Sequence, residues 1–166
     1  MIADPTTSAE RLCAACGMCC DGVLFHSVVL QPGDSSRKLA ALGFKLRRKK
    51  GAEYFLQPCS AYRECRCAIY EARPVRCRDF RCRQLLRLAI GETTEASALE
   101  KINEARELVA RINATIARLA DTNPNRSLAQ RCANALTTAE RTPVHEELQS
   151  AMRELEALLE TQFRVE

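Results

Sequence analysis

Nine cysteines fall between residues 13 and 82, and four of them crowd into CAACGMCC at 13 to 20. Cys13, Cys16 and Cys19 form a C-x-x-C-x-x-C ladder, and Cys20 follows at once. Neighbouring side chains leave the backbone in different directions, so Cys19 and Cys20 do not readily serve one ion. The rest of the array, Cys59, Cys65, Cys67, Cys77 and Cys82, lies within PCSAYRECRCAIYEARPVRCRDFRC. The tenth cysteine, Cys132, stands alone in a helical pattern among Ala and Leu, where it reads as a small apolar filler.

What such an array means depends on the compartment. The opening MIADPTTSAER lacks the basic start and apolar stretch of a secretory signal, and no apolar run approaches a bilayer span. A soluble, cytoplasmic protein with no membrane contact is therefore expected. Thiols stay reduced there, so the cysteines read as metal ligands or redox groups rather than a disulfide framework. A C-x-x-C pair brings two sulfurs toward one ion in a tight turn, and a remote pair or single cysteine closes the shell. Cys19 and Cys20 then face different sites, or one of them stands behind the other's site. His26 and His145 lack a paired-ligand spacing and read as ordinary strand and helix residues.

Charge divides the chain where the cysteines end. Residues 1–90 carry 16 Lys and Arg against 8 Asp and Glu, whereas residues 91–166 carry 9 against 13. We expect a cysteine-cluster module over 1–90 and a helical extension over 91–166 that packs on it or on a partner. In the module, GVLFHSVVL at 22 to 30 predicts a short strand. Asp34 is the expected cap of a brief helix ending at Gly43, and KLRRKKGAEYFLQ predicts two strands turning at Lys50 and Gly51. Apolar side chains are few here, and a thin core calls for a staple.

The extension is helical by its periodicity. Ala98, Ile102, Ala105, Val109, Ile112, Ile116 and Leu119 form one seam of a helix from about Thr94 to Ala120. A short helix follows the breaker DTNPN near SLAQRCANAL. Thr142 and Pro143 then open a helix to about Phe163, with Leu148, Met152, Leu155 and Leu159 on its apolar face. The expected fold class is α+β: a small metal-stapled module with few short strands, then a C-terminal helical hairpin. The same helix faces would also suit a homodimer.

The blocks CAACGMCC, PC at 58 and 59, and CAIYEARPVRCRDF at 67 to 80 resemble the zinc- or iron-chelating CxxCxxCC family, the YkgJ-type cysteine-cluster proteins. The resemblance covers roughly residues 13 to 85 and implies metal ligation by Cys13, Cys16, Cys19, Cys20, Cys59, Cys67 and Cys77. Cys65 and Cys82 are additional to that common set and complete the candidate metal residues. The metal is a physical question. The ladder reproduces the first three ligands of a bacterial ferredoxin, which favours an iron–sulfur cluster of 4Fe–4S type. Val23 stands where the fourth ferredoxin ligand would be, and closed all-thiolate sites suit zinc as well. Both metals stay open, with a lean to iron and sulfide.

Eight arginines lie between residues 63 and 87. They serve either to compensate metal–thiolate charge or, with KLRRKK, to bind nucleic acid or another polyanion. In the recurring block, Tyr70, Arg73, Pro74, Arg78 and Asp79 read as structural, with the charged members aiming Cys77. No phosphate loop, catalytic triad or dinucleotide fingerprint occurs. The expected function is therefore a metal-binding cysteine-cluster protein acting as scaffold, accessory factor or electron carrier, with a protein or redox partner. The alternatives are a zinc-stabilised nucleic-acid or protein-binding module, and a cluster-dependent enzyme. The enzyme reading comes from a partial resemblance to bacterial flagellin lysine methylases, although no methyl-donor motif is visible.

Overall fold

The structure is a computed structural model and describes residues 7–119, 123–137 and 141–165. The first element is a helix that the spacing of apolar residues did not announce. Helix α1 (Ser8–Cys16) is opened by a capping box: Thr7 Oγ1 accepts the Glu10 N–H at 3.2 Å, and the Glu10 carboxylate accepts the Thr7 N–H at 2.9 Å. It stops at Gly17, whose φ of 61° is left-handed and whose N–H bonds the Cys13 carbonyl. Turns through residues 17–26 then bury Met18, Val23 and Leu24. For that reason strand β1 (Ser27–Val29) is shorter than the run GVLFHSVVL suggests.

Helix α2 (Ser36–Ala41) is capped by Ser35, not by Asp34. Asp34 is held elsewhere: its Oδ2 accepts the Gln31 N–H at 2.8 Å and its Oδ1 accepts the Val75 N–H at 2.9 Å. One oxygen thus closes the turn before α2, and the other ties that turn to Val75. Strands β2 (Arg47–Lys49) and β3 (Ala52–Leu56) form the expected hairpin, and Lys50 and Gly51 both take positive φ, as a two-residue primed turn requires. The sheet order is β1-β3-β2, all antiparallel. A second, two-stranded ribbon pairs β4 (Tyr62–Arg63) with β5 (Arg66–Cys67). A short 3₁₀ turn at Tyr70–Ala72 leads into α3 (Val75–Asp79) and α4 (Arg83–Ala89).

Long helices make the rest. Helix α5 (Glu95–Arg118) buries Ala98, Ile102, Ala105, Leu108, Val109, Ile112 and Ile116, close to the seam read from the sequence. Its expected end at Ala120, like the start of the DTNPN breaker and the opening MIADPT, lies outside the described residues. After α6 (Leu128–Ala135) comes α7 (Pro143–Gln162), with proline in its first turn. The pair Arg118–Glu147 at 2.9 Å and the pair Arg111–Glu154 run in opposite senses along the two helices, so α5 and α7 are antiparallel. His145 joins the start of α7: its Nδ1 accepts the Thr142 N–H at 3.1 Å. No helix among the described residues is long and apolar enough to cross a membrane.

Two apolar cores result. The larger gathers the buried faces of α5, α6 and α7 with Leu12, Met18, Val23 and Leu24, so packing crosses the charge boundary near residue 90. Cys132 lies inside it, 3% exposed, as a filler. The smaller holds only Val28, Leu39, Phe44, Phe55 and Ala61 as buried members. A core of five residues is thin for a sheet module of this size. Phe44 and Phe55 meet edge to face at 4.8 Å within it.

Two tethers fix the halves together. The end of α7 grips the start of α4: Phe163 O accepts the Arg83 N–H at 2.9 Å, Gln162 O accepts from Gln84 Nε2 at 3.0 Å, and Arg164 O accepts from Arg83 Nε at 3.0 Å. Arg11 forks onto Glu95, with both N–H···O distances 2.7 Å, joining α1 to α5. That fork, helped by Ser8, holds the Glu95 carboxyl down at about 2 from its usual 4.5. A carboxyl depressed on folding stabilises fully above its unfolded value and loses that contribution as pH falls through its folded one. Glu95→Gln is therefore expected to lower Tm modestly at pH 6, and scanning calorimetry should find the difference shrinking between pH 4.5 and pH 2.

Candidate metal centre

The fold sorts eight of the nine clustered cysteines into two sets of four, and all ten are free thiols. In the first set the thiol of Cys13 feels the charge of Cys82, and that of Cys16 feels both Cys82 and Cys13. Cys19 feels Cys16, then its neighbour Cys20, then Cys82 and Cys13. In the second set, Cys20 feels Cys59, Cys67 and Cys77, and Cys77 in turn feels Cys59 and Cys67. Cys19 and Cys20 are the border. They interact with each other but belong to different neighbourhoods.

Each set rests on its own core. Cys16 and Cys19 pack against the large helical core, whereas Cys59 and Cys77 pack against the small core of the sheet. The C-x-x-C of Cys13 and Cys16 is not the tight turn expected. It occupies the last turn of α1, where an i, i+3 spacing puts both sulfurs on one face. Gly17 then has to be glycine, since a Cβ there would run into the Tyr62 hydroxyl. The fourth thiol of the first set, Cys82, is the N-cap of α4, and the Leu85 and Gln84 N–H groups favour its thiolate.

Three polar side chains that sequence reasoning passed over hold this border in place. Gln57, 2% exposed, donates from Nε2 to the Cys19 carbonyl at 2.9 Å. Two residues on, the Cys59 N–H donates to the Cys20 carbonyl at 2.7 Å. On the other side Arg106 of α5 donates to the Cys16 carbonyl, and its Nη1 lies 2.5 Å from Asp21 Oδ2. Burial works against the Arg106 charge, but Asp21 outweighs it and leaves the guanidinium pKa raised.

Electrostatics in the sets is dominated by burial. It lifts the Cys13 thiol to about 11, against the opposing pull of Arg73 and Arg81. It lifts Cys16 to about 12, with the Met18 N–H and Arg106 pulling the other way, and Cys77 to about 12, with Arg73 opposing. Burial, followed by the neighbouring sulfurs, raises Cys19 and Cys20 as well, and it raises Cys59 and Cys82. Thiolates crowded in fours repel and are poorly solvated; a cation among them removes both penalties.

Of the arginine cluster, only some members face sulfur. Arg73 interacts with Cys13 and Cys77, one from each set, and its guanidinium lies 3.6 Å over the Tyr70 ring. Tyr70 in turn reaches Glu10 of α1 at 3.3 Å. Arg83 and Arg87 are turned to the end of α7 instead. Arg78 and Asp79 are exposed. Cys65 joins neither set. It sits exposed at the tip of the β4–β5 turn, where it and Glu64 both take positive φ, and it interacts with the Tyr62 hydroxyl.

The family model of the CxxCxxCC domain, described as a putative zinc- or iron-chelating domain, matches residues 12–107, more than half of the chain. This chain belongs to the CxxCxxCC family. The CxxCxxCC domain runs past residue 85, where its cysteine and arginine motifs end, and takes in the first half of α5 as far as one residue beyond Arg106, the side chain that holds the Cys16 carbonyl. No curated protein and no solved structure is significantly similar to the chain.

The donor chemistry of this CxxCxxCC domain fits zinc or iron–sulfur: each set is four sulfurs with no carboxylate or imidazole among them. Among the described residues no three Cys, His, Asp or Glu side chains close into a ligand shell as they stand. The sets are neighbourhoods of thiols, which a bound ion would have to draw together.

Proposed function

We propose that the protein binds metal at two four-cysteine sites with different duties. The observation that carries the reading is the partition of thiols at the Cys19–Cys20 peptide. Cys13, Cys16, Cys19 and Cys82 would hold an iron–sulfur cluster, because a C-x-x-C-x-x-C ladder with one remote cysteine is the ligand pattern such clusters use. When bound, such a cluster supplies one-electron transfer. Cys13 is exposed as a residue even though surrounding protein atoms crowd its thiol, so this set lies close to an edge that a redox partner can approach. Cys20, Cys59, Cys67 and Cys77 would hold the second metal as a staple, zinc being sufficient, since the sheet they rest on has so small a core. The backbone N–H groups that favour thiolate at Cys16, Cys59 and Cys82, with Arg73, Arg81 and Arg106, supply the outer support that thiolate sites need.

Anaerobic purification with metal and acid-labile sulfide analysis, and a visible absorption spectrum, is the test. Iron with sulfide and a broad charge-transfer band are expected. A colourless sample holding only zinc removes the electron-transfer part of the reading. A metal-free, fully folded protein removes all of it.

A further inference from the structure

A cavity of about 230 Å³ lies on the other side of Arg106 from the cysteines, lined by Asp21, Pro58, Arg106, Asn113, Arg126 and Arg131 among others. No cysteine lines it, although Asp21 and Arg106 serve both its wall and the cysteine border. Its charge is unbalanced. Among the described residues Asp21 is the sole acid in its wall, and both carboxylate oxygens are engaged: Oδ1 accepts the Val23 N–H at 3.0 Å, and Oδ2 is paired with Arg106 at 2.5 Å. Among the described residues, Arg126 and Arg131 therefore line the space with no carboxylate of the wall paired to them. Arg131 donates from Nη1 to Asn113 Oδ1 at 2.7 Å, a neutral acceptor, while its Nε is buried with no acceptor among the described residues. That Nε is closed off from the cavity, so the donors Arg131 can offer to an anion there are its terminal guanidinium nitrogens.

We propose that this cavity binds a small oxyanion of phosphate type, free or as the end group of a small phosphomonoester. Arginine's planar fork matches the spacing of phosphate oxygens, so Arg131 and Arg126 can each give charge-assisted hydrogen bonds to one anion. The volume agrees. It falls below the roughly 300–1,000 Å³ of pockets that enclose drug-sized ligands. The cavity takes an anion or a compact headgroup and excludes a large cofactor. Arg126, exposed on the turn before α6, is the gate-side donor, and Arg131 is the inner one.

Isothermal titration of the intact chain with inorganic phosphate and, separately, phenyl phosphate tests the site, at constant ionic strength set with chloride. One saturable site per chain is expected, weakened at least tenfold by Arg131→Ala and by Arg126→Ala. Because Arg126 is exposed, its removal leaves the packing intact, and circular dichroism on both variants verifies folding. Binding of inorganic phosphate alone supports a free-anion site, and tighter binding of phenyl phosphate supports a monoester site. No saturable binding of either, or affinity unchanged in Arg126→Ala and a folded Arg131→Ala protein, overturns the proposal.

Discussion

Cys20→Ala is expected to empty the set built from Cys59, Cys67 and Cys77 while leaving the metal of the Cys13 set in place, and Cys19→Ala is expected to do the reverse. The two residues are neighbours in sequence, so a single shared site would respond alike to either change. The proposed partition separates them: Cys19 packs against the large helical core with Cys16, whereas Cys59 and Cys77, the neighbours of Cys20, pack against the small core of the sheet. Metal per chain by plasma mass spectrometry, with absorbance for any iron–sulfur cluster, reads the difference directly. Removing one of four thiolates from a closed shell leaves an incomplete site, so the affected metal should be lost almost entirely rather than weakened. If both substitutions deplete the same metal population to the same degree, the two-site arrangement fails.

A second large effect is expected far from any cysteine in sequence. Phe163 is 1% exposed and sits at the end of α7, with its carbonyl accepting from the start of α4. Truncation to alanine should cost about 3–5 kcal/mol, as for other fully buried aromatics. For a chain of this length that lowers Tm by roughly 10 °C. Val165, two residues on and 37% exposed, provides the control: its alanine variant should unfold at the wild-type urea concentration. Equal stability of the two variants would show that the Phe163 ring contributes nothing to the large core.

Local patterns made some of this legible in advance. The seam of α5, the Thr142–Pro143 opening of α7 and the Lys50–Gly51 turn follow from periodicity and backbone preference, so they were readable without the fold. Helix α1 was also announced, by Thr7 and Glu10 three residues apart, but the cysteines drew attention to turns instead. The expectation that Cys19 and Cys20 diverge rests on chain geometry alone. Which remote cysteine joins which side does not, because Cys82 meets α1 only through the packing of α4, α5 and α7. Gln57, Asp21 and Arg106 were illegible for the same reason: each acts on a partner 38 or more residues away, and nothing in the local sequence marks it.

The grip of α7 on α4 also sets how far along the chain each set reaches. Cys82 sits at the head of α4, and α4 is secured by carbonyls of residues 162–164, with Arg83 and Arg164 81 positions apart. The ladder cysteines lie together on α1 and the turn after it, whereas their proposed fourth companion heads a helix whose next two residues, Arg83 and Gln84, are held by the end of α7. The proposed first set thus depends on residues some eighty positions downstream of Cys82, whereas the proposed second set, Cys20, Cys59, Cys67 and Cys77, draws on no residue beyond α3.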